Sequence, residues 1–277
     1  MGNWFANSMA TLALACIALV PAAGQVARAQ ARQQPPRQAR DSSAKGASPT
    51  ENEKFNPRDL SGIWLVQQKT NFTLTPGYVS PPMTPWAQAR YDAAKPGIGP
   101  RTQPLGNDPI MKCDPVGFPR VLFDGLYPLE ILQTSDRIVQ FFDFFYAYRT
   151  IWADGRPLPN DDDLDPRWYG YSVGKWDGNT LVVSSKGFDD RSWLDWDGHP
   201  HSTDMQLEER YRRVDHDTIE VVLTVTDPKA YTKPWVSETK TLKWSPKETM
   251  REDVCSPSDE QEFYQGIRNP AANAHPN

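Results

Sequence analysis

The stretch MQLEERYRRVDHDTIEVVLTVT, Met205 to Thr226, decides the fold class. Tyr211, Val214, Ile219, Val221, Leu223 and Val225 offer one apolar side within it. A period of two belongs to strands with one buried face, because successive side chains point to opposite faces of the pleated chain. Two strands are therefore expected, Met205–Val214 and Thr218–Thr226, joined by the polar turn Asp215-His216-Asp217. The same period runs upstream through Leu129–Thr134, Arg137–Phe142, Tyr146–Ala153, Tyr169–Trp176 and Thr180–Lys186, and downstream through Ser237–Lys243. Asp154-Gly155 and Asp177-Gly178-Asn179 read as turns between them, and Leu60–Val66 as the opening strand. Helical patterns of the length that parallel βαβ units require do not intervene. Only two short helices are expected. One is Thr84–Lys95, capped by Thr84 with Pro85 at the first helical position, and the other is Ser256–Ile267. Between Pro96 and Pro119 the chain reads as a long Gly/Pro-rich loop of the kind that tends to be functional. The sum is a mainly β, single-domain, antiparallel up-and-down meander of about eight to ten strands, which closes into a barrel to remove its edges.

Composition bounds the function. The chain has 277 residues, 30 Lys+Arg against 35 Asp+Glu, and a formal charge of −5. That balance argues against a nucleic-acid partner, which needs a basic surface. At 38% hydrophobic and a mean hydropathy of −0.65, the body is no membrane bundle. The 26 Pro, beside 10 Trp, 10 Tyr and 11 Phe, fit many turns and edges. Met9 to Val20 is an apolar run too short to span a bilayer, and Ala27-Arg28-Ala29 follows as a cleavage site. Residues 1–29 therefore read as a signal peptide, leaving a periplasmic or secreted chain without a transmembrane segment. Residues 30–56, rich in Gln, Arg, Pro and Ser, read as a disordered leader, and 57–277 as the barrel domain. After loss of Cys16, Cys113 and Cys255 remain, an even pair expected to form a disulfide in an oxidising compartment.

Chemistry concentrates in FDDRSWLDWDGHPHS, Phe188 to Ser202. Three readings stay open. In the first, His199 or His201 is a general base, Asp189 or Asp190 orients it, and Arg191 holds an anionic or carbonyl oxygen. In the second, His199 and His201, with Asp195 as a third ligand, hold a zinc-like divalent metal. In the third, the same groups only brace a loop. Tyr146, Tyr148 and Trp152 fall at strand spacing and would line a cavity for a ring-bearing ligand if they face inward. Trp193, Tyr231 and Trp235 are placed at the same mouth, and Arg210 and Arg212 are expected to point into the barrel. The acidic run Asp161-Asp162-Asp163-Leu164-Asp165 lacks the spacing of a calcium loop and reads as solvated. No nucleophile elbow, P-loop, zinc-protease helix or dinucleotide fingerprint is present, so no cofactor is expected.

Two resemblances add to this. Asp59-Leu60-Ser61-Gly62-Ile63-Trp64 resembles the Gly-x-Trp opening strand of lipocalin-like barrels, whose Trp plugs the closed end. Gly187–Arg191, Gly198–Ser202 and Glu209–Arg213 resemble the Gly-Phe-Asp-Asp-Arg, Gly-His-Pro-His-Ser and Glu-Arg-Tyr-Arg-Arg blocks of a family of exported bacterial proteins without an established activity. The resemblance implies a lipocalin-like barrel and little chemistry, because such barrels include passive carriers as well as hydratases and cyclases. The expected function is a cofactor-free exported enzyme, a hydro-lyase, isomerase or hydrolase acting by Asp–His acid–base chemistry on a small cyclic oxygen-bearing substrate. The alternatives are a periplasmic carrier of an apolar or aromatic small molecule and an envelope interaction protein.

Overall fold

The structure, a computed structural model, describes residues 55–67, 73–123 and 125–269. The expected signal peptide, residues 1–29, and nearly all of the leader lie outside the described residues. Ten strands follow in chain order: β1 (Gly62–Gln67), β2 (Leu129–Gln133), β3 (Arg137–Phe142), β4 (Ala147–Trp152), β5 (Tyr171–Asp177), β6 (Thr180–Lys186), β7 (Gln206–Asp215), β8 (Thr218–Thr226), β9 (Trp235–Val236) and β10 (Lys240–Trp244). Two helices accompany them, α1 (Pro85–Ala93) and α2 (Pro257–Phe263). Thr84 caps α1 by accepting from the Ala87 amide, with Pro85 at the first position. Among the described residues no helix is long and apolar enough to cross a membrane.

Strands β1 to β8 and β10 form a closed ring: β10 pairs with β1 through Trp64↔Trp244 and with β8 through Leu242↔Ile219. The short β9 continues along the same edge of β8, beyond β10. A ring with an odd number of strands cannot alternate direction throughout. One pair has to be parallel, and it is β4–β5. This corrects the expectation of an all-antiparallel barrel. Asp154-Gly155 does turn the chain, with Gly155 at φ +87°, but the chain does not come straight back. It crosses over through residues 153–170, a length that a parallel connection requires. Pro157, Pro159 and Pro166 keep that crossover out of a helix, and only a short 3₁₀ turn forms at Asp161–Asp163.

The barrel interior follows strand parity. Ile219, Val221, Leu223 and Val225 of β8 are buried, as the alternation requires, together with Leu181, Val183, Leu207, Ile131 and Ile138. Trp64 is fully buried, and its indole donates to the Leu60 carbonyl at 3.0 Å. The Arg213 guanidinium lies 5.3 Å from that ring and donates to the carbonyls of Asp59 and His216, tying the entry of β1 to the β7–β8 turn. Cys113 and Cys255 form the expected disulfide, with Cα atoms 5.5 Å apart, and so hold the C-terminal segment against the loop before β2.

Candidate functional site

The parallel junction is short. Only Ile151↔Ser172 and Trp152↔Val173 pair across it, so the chain before Ile151 and the chain before Ser172 separate. A cleft of about 1050 Å³ opens in that gap. Its walls carry Tyr146, Tyr148, Trp152, Trp168, Tyr169 and Tyr171, and the Cys113–Cys255 disulfide borders it. Arginines stack over several of these rings: Arg156 lies 3.6 Å from the Trp152 centroid, Arg167 4.1 Å from Tyr171 and Arg191 4.3 Å from Trp168. Such stacks hold rings in place at little entropic cost. Gly170, at φ +62°, gives the tight turn into β5. A Cβ there would meet the Phe188 ring at 2.8 Å and the Lys186 carbonyl at 2.9 Å.

Arg149 and Ser172 line the cleft and are both buried. Arg149 reaches into the barrel, where its Nη2 donates to both carboxylate oxygens of Glu209, at 2.7 and 3.0 Å. The Tyr211 hydroxyl donates to Glu209 Oε2 at 2.7 Å, and Gln140 donates to the same hydroxyl at 3.1 Å. Burial, reinforced by the Glu209 charge, pushes the Tyr211 phenol well up, so it stays a donor. Ser185 links Glu209 to Ser172 through hydroxyl contacts of 3.4 and 2.8 Å. A charged pair this deep holds only when each partner is hydrogen-bonded.

The Asp–His block forms a second constellation. Asp195 pairs with His199, Oδ2 to Nδ1 at 2.7 Å, while its Oδ1 accepts from the amides of Asp197 and His199. The imidazole is stacked on Tyr91, with centroids 4.6 Å apart, and meets the edge of Trp235 at 4.9 Å. With Nδ1–H given to Asp195, Nε2 is the remaining imidazole nitrogen of His199, in a side chain only 1% exposed. Tyr91 donates to Asp197 Oδ2, and burial together with that bond pushes its phenol up to about 12. Burial likewise raises the Asp197 carboxyl. His201 is engaged at both nitrogens: Nδ1–H donates to the Ser202 carbonyl at 3.1 Å, and Nε2 accepts from the Ser192 hydroxyl at 3.0 Å. Complete burial pulls its pKa down, which keeps it neutral. Asp227 takes the Ser202 amide and hydroxyl, and Tyr231 donates to the Pro200 carbonyl, so His-Pro-His is braced from behind.

The expected residues thus divide. Tyr146, Tyr148 and Trp152 do line the cleft, but they do not face the interior: Tyr146 and Tyr148 are each 63% exposed, because Arg149 and Ile151 take the inward parity of β4. Trp193, Tyr231 and Trp235 lie outside the cleft lining, the last two beside His199 and Pro200. Asp189 is held by Arg191 at 2.6 Å and Asp190 by Arg90 at 3.7 Å, so His199 takes Asp195 instead. His199, His201 and Asp195 do not converge, and no group of His, Cys, Asp or Glu among the described residues assembles as a metal set. Arg210 and Arg212 stand on the outer face, paired with Glu208 and Glu220. The inward positions of β7 are Leu207, Glu209, Tyr211 and Arg213. Sequence reasoning missed Arg149, Glu209 and Gln140, although strand parity carries them. Glu209 sits between Leu207 and Tyr211, and Arg149 shares the parity of Ile151. Also missed was Arg120, fully buried in the loop region, donating to Asp108 at 2.8 Å and lying over Trp196.

Compared with family models, curated proteins and solved structures, the chain matches none.

Proposed function

We propose that this protein is a carrier that binds a ring-bearing small molecule in the cleft beside the β4–β5 junction. The observation that carries the reading is the cleft itself: about 1050 Å³, walled by Tyr148, Trp152, Trp168, Tyr169 and Tyr171 over an inner wall with Arg149 and Ser172. Small-molecule sites are concave and mostly apolar or aromatic, with a few placed polar groups, and are commonly about 300–1,000 Å³. None of His199, His201, Asp189, Asp190 or Arg191 lines this cleft, which separates binding from the Asp–His block. Calorimetric titration of polycyclic aromatic compounds tests the reading. Binding that weakens about tenfold in Trp168→Ala, roughly the loss of one ring contact of 1.4 kcal/mol, is expected. Equal affinity in wild type and Trp168→Ala would contradict it.

Proton chemistry at Asp195–His199 is the second reading, favoured by one observation: Asp195 fixes Nδ1 of His199, which leaves Nε2 as the nitrogen for proton transfer. That nitrogen has to be reachable for the reading to stand. Diethyl pyrocarbonate should then modify His199, a product lost in His199→Gln, and an inert His199 in the native protein removes the reading.

A further inference from the structure

We propose that the ligand of this cleft is a ring-bearing monocarboxylate whose carboxylate seats on Arg149, an inference that rests on the binding reading above. The charge pattern comes first. Arg149, Arg156 and Arg167 line the cleft and no Asp or Glu does, in a chain whose formal charge is −5. Two of these charges are balanced by carboxylates outside the lining, Arg149 by Glu209 and Arg156 by Asp154. The selection for an anion therefore rests on donors left open and not on net charge alone. The three arginines are not equivalent. Arg156 is exposed and pairs with Asp154 at 2.6 Å, and Arg167 is exposed and stacked on Tyr171.

Arg149 is the anchor. It is only 3% exposed, and Glu209 engages Nη2 alone. Its Nε and Nη1 are buried and meet no hydrogen-bond partner among the described residues. Guanidinium is a planar fork of donors with no acceptor, and leaving such donors buried and unfilled is costly. Phe118 covers one face of the guanidinium at 3.8 Å, and a carboxylate would meet Nε and Nη1 in the guanidinium plane. Glu209 is already committed to Arg149 and Tyr211, so its charge does not fill those donors.

The two halves of the cleft then define one ligand class. The aromatic walls take the ring, and the inner wall takes the carboxylate. A neutral ring leaves Nε and Nη1 unsatisfied, and a cationic ring is repelled. Ser172, whose hydroxyl already meets Ser185 at 2.8 Å, stands beside the same wall as a further polar contact.

The test uses the disulfide-intact protein and two probes of nearly identical shape, 1-naphthoate and 1-naphthamide, titrated calorimetrically at low salt. Wild type is expected to bind the carboxylate at least about tenfold tighter than the amide. Arg149→Met alone strands the Glu209 charge and destabilises the barrel, so the paired variant Arg149→Met/Glu209→Gln carries the assignment, with its fold checked by thermal melting. In that variant the carboxylate preference over the amide should fall to about onefold. Equal affinities in wild type overturn the anionic assignment and leave ring binding standing. A carboxylate preference that survives in the paired variant overturns Arg149 as the anchor. Failure of both probes to bind wild type overturns this inference and the carrier reading together.

Discussion

Arg149 and Glu209 each make the other tolerable inside the barrel. Removing one partner leaves a buried, uncompensated charge, which typically costs about 3–5 kcal/mol. Glu209→Ala should therefore lower stability by that order in chemical denaturation, and Arg149→Met/Glu209→Gln should recover a substantial part of the loss. Equal losses for the single and paired variants would mean that the charges are not coupled. His201 makes a separate statement through pH. Burial depresses its folded pKa below the ordinary 6.5, so below that pH the unfolded chain takes up a proton that the folded chain refuses. Stability then falls as pH drops from 6.5 toward the folded value, by at most about 1.4 kcal/mol per pH unit. His201→Gln should flatten that part of the stability profile, and an unchanged slope would show that other groups set it. At this scale the sequence was partly legible. The Asp–His block stood out by composition, but which Asp meets which His depends on a turn that brings Asp195, not Asp189, to His199. Arg149 and Glu209 were hidden because a charged residue at inward parity looks like an outward one slipped by a single position.

Among the elements, the β4–β5 junction decides the most. Strand existence was legible because apolar alternation is local, and β7 and β8 fall within a residue or two of their expected ends. Strand direction was not, because a crossover is a long-range property and Asp154-Gly155 is chemically a good turn wherever the chain goes next. The cleft depends on this junction, and Gly170 shapes it. Gly170→Ala puts a side chain at φ +62° against Phe188 and the Lys186 carbonyl. A loss of roughly 1–3 kcal/mol is expected, read as a lowered melting temperature, together with weaker ligand binding. An alanine variant with wild-type stability and affinity would show that the turn does not set the cleft wall.

At the largest scale the described residues form a closed barrel fastened by the Cys113–Cys255 disulfide. The disulfide joins residues separated by 142 positions in sequence, and its pairing was legible because the body holds only two cysteines. Cross-linking so long a loop is worth about 5 kcal/mol in the chain-entropy model. Cys113→Ser/Cys255→Ser should lower stability by up to that amount, and because both cysteines border the cleft, binding should weaken as well. Unchanged stability in the variant would mean that packing alone holds the C-terminal segment.

Closure itself was legible from the number and spacing of strands. The odd count, and with it the opening, was not. The measurement that tests the cleft most directly is a titration of ¹⁵N-tryptophan-labelled protein with 1-naphthoate, followed by the indole N–H signals. The signals of Trp152 and Trp168, which line the cleft, should shift while those of Trp193 and Trp235 stay in place. Shifts centred on Trp235, beside His199, with Trp152 and Trp168 unmoved, would contradict the account and move the site to the Asp–His block.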